Sequence, residues 1–485
     1  MKAFITKSNW LIAQQCLSKA WFTLRAEPEM PSESERFRME QGQEVGKVAR
    51  DIYPRGTMIS AAEGMTSADV TQARIADVTL DTLFEAEFRA GSLIARADIL
   101  VRHGAGWHVL EVKSSFSDTS SMNGLVDDLA YTVMVLRRAG LQVEKASLLL
   151  LSRQYRFGGE AQTLFDEVDK TNDVNVRAVD FNRNADGVVQ ALFGDSQPAA
   201  VLLSACRDCD FFESDCLGVG LTHTVLELPG LHHTKLKRLS SLGIVDLSKI
   251  PSDLALNECQ ESAKAAAVSG AAVVKLGLRS ALAAVSWPCH YLDFETVALV
   301  LPLCDGHGCH RQMLTQFSIH HRDGFGSELG HQEYLAEATR DCERELALEL
   351  IEALGDSGAI IVYSHFEGTR IRALRDAFPD LIPKLQAILD RLLDLLPIIR
   401  DYIYHPEFKG SFSIKKVLPA LVPDLSYKGL SIADGDTAIT RFARMARGEI
   451  SGDAVLTTRK ELLNYCRMDT LAMVRLHERL SELAT

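Results

Sequence analysis

The sequence predicts an α/β protein of more than one domain: a mixed α/β segment at residues 1–220, a helical connector at 221–285 and a three-layer α/β segment at 286–485. Three observations lead there. A chain of 485 residues exceeds what one hydrophobic core ordinarily serves, since domains run to roughly 150 residues. Its 47% hydrophobic and 24% charged content is globular and excludes a wholly disordered chain. The last segment carries strands first, then a helix and a strand, then helices, the order of a sheet covered by helices.

The chain opens with a helical stretch holding Trp10, Cys16, Trp21 and Phe22, then a charged stretch and a helix over Phe37–Asp51 that Tyr53-Pro-Arg-Gly56 ends. Strands take over between Leu83 and Ser115, where Leu93–Arg102 and Trp107–Ser115 flank the break His103-Gly-Ala-Gly106 as a hairpin. A helix over Leu125–Ala139 and a buried strand over Ser147–Ser152 follow, and Cys206, Cys209 and Cys216 close the segment. In the connector, the stretch from Leu228-Pro-Gly to Gly243-Ile244 is weakly similar to a helix-hairpin-helix, an element that grips DNA backbone; the other reading is a basic packed spacer. The last segment begins with strand His290–Val297, a loop with Gly306 and Gly308, and strand Met313–His320. A helix from Thr339 to Leu354, a buried strand over Ala359–Ser364 and a helical remainder ending with Thr457–Leu483 complete it.

Charge and cysteine content narrow the function classes. With 52 basic and 65 acidic residues the net charge is −13, which argues against coating nucleic acid by bulk charge but not against an enzyme with local basic grooves around a carboxylate centre. The most apolar stretch, 264–286, carries Lys264, Lys275 and Arg279, so no membrane span is expected. The apolar run at the start is too short for a secretory signal, and a cytoplasmic location is the expectation. Ten cysteines are too few for a disulfide scaffold and read as metal or cluster ligands or as buried thiols.

Glu111 and Lys113 lie two apart on a strand and share a face. If the turn is centred on Gly104-Ala105, Asp98 sits across from Glu111. Two carboxylates that close repel unless a divalent cation lies between them, and an ammonium beside them can orient a water or stabilise an attacked phosphate. Ala97-Asp98-Ile99-Leu100 with Leu110-Glu111-Val112-Lys113-Ser114-Ser115 resembles the RecB-like branch of the PD-(D/E)XK nuclease superfamily, over nearly all of 1–220. The resemblance implies a restriction-endonuclease-like fold in which Asp98 and Glu111 hold Mg²⁺ or Mn²⁺ and Lys113 assists hydrolysis. Two positions depart from it: Gly46 stands where RecB-type enzymes carry a metal-binding histidine, and Asp128-Leu-Ala-Tyr131-Thr132 replaces their Gln-x-x-x-Tyr helix.

Cys206, Cys209 and Cys216 put three thiols within eleven residues, a trio that needs a fourth ligand for tetrahedral zinc or an iron–sulfur cubane. Cys16 is the only other cysteine in 1–220. The set is similar to that of the iron–sulfur exonucleases of CRISPR adaptation and AddB-type nucleases, which implies a [4Fe-4S] cluster on Cys16, Cys206, Cys209 and Cys216; zinc is the alternative. Cys304, His307, Cys309 and His310 sit too close in one hairpin loop to face a single tetrahedral ion readily and read as loop polarity, while Cys259, Cys289, Cys342 and Cys466 read as buried thiols.

Asp293 and Glu295 share one face of a strand, two acids where an apolar strand should be buried. Tyr465 and Asp469 lie four apart on one helix face, and Glu367 stands where a buried strand runs into a helix. Acids gathered at strand ends suit two divalent ions about 3.5–4 Å apart. In this order the set resembles the DEDD exonuclease superfamily on an RNase H-like fold, to which proofreading exonucleases and ribonuclease D belong. The resemblance implies metal ligation by Asp293, Glu295, Glu367 and Asp469 and a water-positioning Tyr465, with Glu367 where the superfamily has Asp. Asp394 reads as an outer supporting acid. The stretch from His405 to Pro419 resembles an uncharacterised bacterial domain family of this fold, with Lys409, Lys415 and Lys416 as phosphate contacts or solvated lysines. The expected activity is hydrolysis of nucleic acid, DNA before RNA, with no membrane partner; the alternatives are a nucleic-acid-binding scaffold with one silent nuclease domain, or an RNA-processing exonuclease.

Overall fold

The computed structural model describes residues 4–427 and 429–484. Contacts divide the chain into two units, one of Met1–Val201 with Leu299–Arg311, the other of Leu202–Ala298 with Gln312–Thr485. The seam therefore falls at Val201 rather than 220, because Leu202, Cys206 and Phe212 bury their side chains in the core of the second unit. Val225, Leu226, Leu228, Leu236 and Leu239 join the same core, so 221–285 is part of that unit and not a free-standing connector. Among the described residues no helix is long and apolar enough to cross a membrane.

The first unit contains helices α1 (Lys7–Gln15), α2 (Leu17–Thr23), α3 (Glu33–Asp51), α4 (Ser67–Ala76), α5 (Met122–Arg138) and α6 (Thr171–Phe193). Its strands β1 (Thr57–Met58), β2 (Thr82–Ala90), β3 (Leu93–His103), β4 (Gly106–Phe116), β5 (Val143–Leu151) and β6 (Phe165–Asp169) form one sheet in sequence order. β2, β3 and β4 run antiparallel and β4 is parallel to β5. The β3–β4 turn is tighter than the break in the sequence suggests: only Gly104 and Ala105 lie outside the strands, and Gly104 takes φ +58°, a left-handed conformation that favours glycine. Leu129, Val133 and Leu136 of α5 bury against Leu100, Val109 and Leu148 of the sheet, as the helical and two-residue periods dictate. A reciprocal cap between Ser32 and Glu35 starts α3, which packs Val45 and Ala49 on Ile99 and Leu110.

The second unit contains α7 (His233–Ser241), α8 (Glu258–Ser269), α9 (Leu278–Leu282), α10 (Glu343–Leu354), α11 (Phe366–Ala377), α12 (Ile382–Leu389), α13 (Leu395–Tyr402), α14 (Ile414–Leu421), α15 (Gly435–Ala446) and α16 (Asp453–Leu483). The turn at Pro229-Gly230 is preceded by a three-residue 3-10 turn, so only one helix of the expected helix-hairpin-helix is present there. A short β7 (Val273–Val274) pairs with β13 (Ile403–Tyr404). The main sheet has the order β10 (Gly330–Leu335), β9 (Gln312–Arg322), β8 (Cys289–Ala298), β11 (Ala359–Val362), β12 (Leu392–Asp394). β10, β9 and β8 are antiparallel, and β11 and β12 run parallel to β8. Alternation along β8 gives the unit three layers: Leu292 and Phe294 pack with α10, α11 and α12, while Cys289 and Tyr291 pack with α13 and α16. Asp293 and Glu295 continue the second set and face α16.

Candidate functional site

Asp293, Glu295 and Asp469 form a candidate metal-binding site in the second unit, each offering a carboxylate oxygen within 4.8 Å of the others. β8 supplies the first two, and the ladder to β9 shifts register just after Glu295, a bulge of the kind found beside active sites. α16 supplies Asp469, which is buried, and Tyr465 one turn earlier. Burial, then the charges of Asp469, Glu295 and Glu367, push Asp293 well above the usual carboxylate range. Burial and Asp469 do the same to Glu295. Asp469 is pushed up to about 6 by burial against the opposing hydrogen bond from Tyr427. Acids that raise one another's proton affinity in this way form a site that calls for positive charge.

The acids are also held from behind. The Cys466 thiol donates to Asp293 Oδ2 at 3.4 Å, and the Tyr427 hydroxyl donates to Asp469 Oδ1 at 2.5 Å. Burial, followed by the charge of Asp469 one turn along α16, raises the pKa of the Tyr465 phenol. Lys415 is the cation whose charge reaches both Glu295 and Asp469.

Glu367 lies in the first turn of α11, only 3% exposed, and its Oε2 has no hydrogen-bond partner. Burial first, then Asp394 and Asp469, raise it to about 8. It stands beside the close trio rather than within it. Ser364, which leads β11 into α11, takes φ +114°, a strained conformation for a residue with a side chain, and its N–H donates to Asp394 Oδ1 at 2.9 Å. Asp394 also accepts the Leu396 N–H at 2.8 Å, so it secures the turn that presents Glu367.

The first unit holds a second group of acids at the edge of a cavity of about 700 Å³ lined by Gly46, Arg50, Glu85, Asp98, Glu111 and Lys113. The expected register holds from Ile99–Leu110 to His103–Gly106 but the ladder opens one pair short of Asp98 and Glu111. Asp98 Oδ2 accepts the Val112 N–H at 2.8 Å in its place. Burial, then Glu111, raise Asp98 to about 7. Burial alone would raise Glu111 too, but the ammonium groups of Lys7 and Lys113 override it and hold it at about 2.

Lys7 Nζ lies 2.5 Å and Lys113 Nζ 3.0 Å from Glu111 Oε1, and both lysines also pair with Asp128, Lys7 at 3.5 Å. This closes a ring of alternating charge. Glu111 Oε2 stays buried without a partner. Glu85 lies opposite Asp98 in a β2–β3 ladder whose register is unbroken on either side, takes φ +56°, and pairs with Arg50 at 3.2 Å. Tyr131, after Asp128, faces inward and donates to the Ile5 carbonyl at 2.7 Å, a packing role.

Cys16 falls in the first unit and Cys206, Cys209 and Cys216 in the second, and among the described residues no disulfide joins any of the ten cysteines. Cys16 breaks the expected opening helix in two and caps α2, its sulfur accepting the Lys19 N–H at 3.4 Å. Cys206 accepts the Leu203 N–H at 3.4 Å. In the hairpin loop, His310 donates to the Ser114 carbonyl at 2.5 Å and Cys309 packs with Val45 and Phe84.

Lys7, Glu85 and Tyr427 are the residues at these centres that sequence reasoning misses. Residues 290–413 match a domain of unknown function (DUF2779), a stretch that includes Asp293, Glu295 and Glu367 but ends before Tyr427, Tyr465 and Asp469. No curated protein and no solved structure matches the chain.

Proposed function

We propose that the protein is a metal-dependent nuclease acting on nucleic acid, with a DEDD-type 3′→5′ exonuclease centre on an RNase H-like second unit and a RecB-like PD-(D/E)XK centre in the first. The observation that carries this reading is the trio Asp293, Glu295 and Asp469: three ligand oxygens within 4.8 Å, packed against a helix, with no basic side chain bonded to them among the described residues. An antiparallel trio of strands extended by two parallel ones, with the acids on the central strand, supports the RNase H-like reading. All-oxygen donors of this kind suit Mg²⁺ or Mn²⁺.

A divalent ion there supplies Lewis acidity and a water ionised near neutral pH. The chain's own residues do the rest. Asp293, Glu295 and Asp469 would hold the ion, and Glu367 would add a fourth carboxylate at its margin. Tyr465 orients the attacking water through its hydroxyl, and Lys415 meets the phosphate, its charge already felt by two of the acids. In the first unit Asp98 and Glu111 would hold the ion and Lys113 would steady the charge that builds on the phosphate. Cys16, Cys206, Cys209 and Cys216 would carry a [4Fe-4S] cluster, or zinc. DNA is the proposed substrate, by the first unit's resemblance to DNA nucleases.

Labelled single- and double-stranded DNA and RNA, incubated with Mn²⁺ and the wild type, Glu111→Ala or Asp293→Ala, test the proposal. Stepwise release of single nucleotides that Asp293→Ala abolishes is the expected result. If neither substitution reduces cleavage, the assignments fail.

One observation favours a second reading for the first unit alone, that it binds nucleic acid without cutting it. Lys7 already neutralises Glu111, the acid a metal would need. On that reading Glu111→Ala leaves cleavage unchanged while Asp293→Ala removes it.

A further inference from the structure

Two phenols stand near one acid of the second-unit centre, and one of them, Tyr427, is bonded to it. Tyr465 precedes Asp469 by one turn of α16, and Tyr427 comes from the stretch between α14 and α15. Their rings are 6.3 Å apart, and the Tyr427 hydroxyl donates to Asp469 Oδ1 at 2.5 Å, the length of a strong bond to an ionised acceptor. A carboxylate has two oxygens. With Oδ1 held by a phenol, Oδ2 is left for a cation, and the rotation of the group about its own bond is fixed. Asp293 is fixed in the same manner by the Cys466 thiol.

We infer that Tyr427 is a positioning residue that sets the orientation of Asp469 for cation binding, and that this leaves the Tyr465 hydroxyl to serve water and substrate. Its location supports an assignment independent of the 290–413 match, since it lies beyond that stretch. The inference rests on the metal-centre reading of Asp293, Glu295 and Asp469. It adds a division of labour: one phenol acts through the ligand, the other on the reacting atoms. Hydrogen-bond partners of metal-ligating groups typically govern about 10- to 100-fold in metal affinity.

The test is a titration of the full chain with Mn²⁺ alone, read by the loss of the free-ion electron paramagnetic resonance signal, for wild type, Tyr427→Phe and Tyr465→Phe. An Asp98→Ala, Glu111→Ala background keeps the first unit silent. Tyr427→Phe, which retains the ring and its packing, is expected to weaken Mn²⁺ binding by about 10-fold or more. Tyr465→Phe is expected to leave that affinity unchanged while lowering turnover at saturating Mn²⁺. With the metal saturating, Tyr427→Phe recovers most of its turnover and Tyr465→Phe does not. Equal Mn²⁺ affinity in Tyr427→Phe and wild type overturns the inference and leaves the metal centre standing, as does an equal loss in both variants. A background protein that binds no Mn²⁺ overturns the metal-centre reading itself. Thermal melts of the three proteins separate a loss of fold from a loss of ligand geometry.

Discussion

Replacing Glu367 with Gln should make the metal-free protein more stable at alkaline pH, an unusual result for a substitution beside a candidate metal site. Glu367 is buried, its Oε2 is unpartnered, and burial with the charges of Asp394 and Asp469 lifts it from the ordinary 4.5 to about 8. A carboxyl whose proton affinity is higher in the folded state than in the unfolded one binds more protons when folded, so stability falls as pH rises from about 4.5 to about 8. At ~1.4 kcal/mol per pH unit the ceiling of that loss is on the order of 5 kcal/mol. Part of it is shared with Asp469, and the amide of Gln gains donors where two carboxylates accept, so about 1–3 kcal/mol of stabilisation is the working figure.

For a unit of this size that is a rise in Tm of about 2–12 °C. Scanning calorimetry in chelator at about pH 5 and about pH 9 reads it: the variant should melt with wild type in acid, where Glu367 is protonated anyway, and above it in alkali. Added Mn²⁺ should then raise the wild-type Tm and move the variant less. A variant that melts below wild type at the alkaline pH refutes the reasoning.

In the first unit, Lys7→Met breaks one side of the charge ring and leaves Glu111 and Asp128 to share Lys113, so urea unfolding should show a loss of about 3 kcal/mol; an unchanged midpoint counts against the ring. Asp98, raised to about 7 by burial and Glu111, must lose its proton to bind a cation, so Mn²⁺ affinity in an Asp293→Ala background should rise as pH is taken upward through about 7, and a flat profile would show that Asp98 is no ligand. The protein purified without oxygen should be coloured by iron, and Cys209→Ala should bleach it; stoichiometric zinc in place of iron would transfer the site to the alternative metal.

The second-unit trio is legible in the sequence because its spacings are those of regular elements. Asp293 and Glu295 differ by the period of a strand, and Tyr465 and Asp469 by a turn of helix, so each pair's common face follows once the element is recognised. Tyr427 lies in an irregular stretch with no period to read. Lys7 meets Glu111 across 104 residues of chain, a pairing no local rule supplies.

Glu85 is hidden for a different reason. It lies inside a strand of regular register, and its left-handed φ of +56° has no marker in the sequence such as a glycine. β10 escapes because it is a polar edge strand, Gly-His-Gln-Glu-Tyr-Leu, whose pairing with β9 satisfies its backbone without an apolar face. The seam at Val201 escapes because it is set by which core Leu202 and Phe212 enter, and composition is the same on either side of it.

Both centres set acids on strands, Asp98 and Glu111 on two neighbours and Asp293 and Glu295 on one, but they differ in how their charge is balanced, and the difference bears on which of them calls for a cation. In the first unit, Lys7 and Lys113 meet Glu111 and Asp128 in equal number, and Glu111 is held ionised at about 2 with no cation required. In the second, Asp293, Glu295 and Glu367 are all driven toward protonation, and Lys415 offsets this only at Glu295, through its field. A buried group of like charges is costly to fold, and the three layers of packing around β8 sustain that cost. Residues that destabilise a fold in isolation persist where a bound ligand repays them. By that argument the second unit holds the stronger candidate for a divalent-ion site, and the first is a site whose charge is already balanced, with only Glu111 Oε2 left unpartnered.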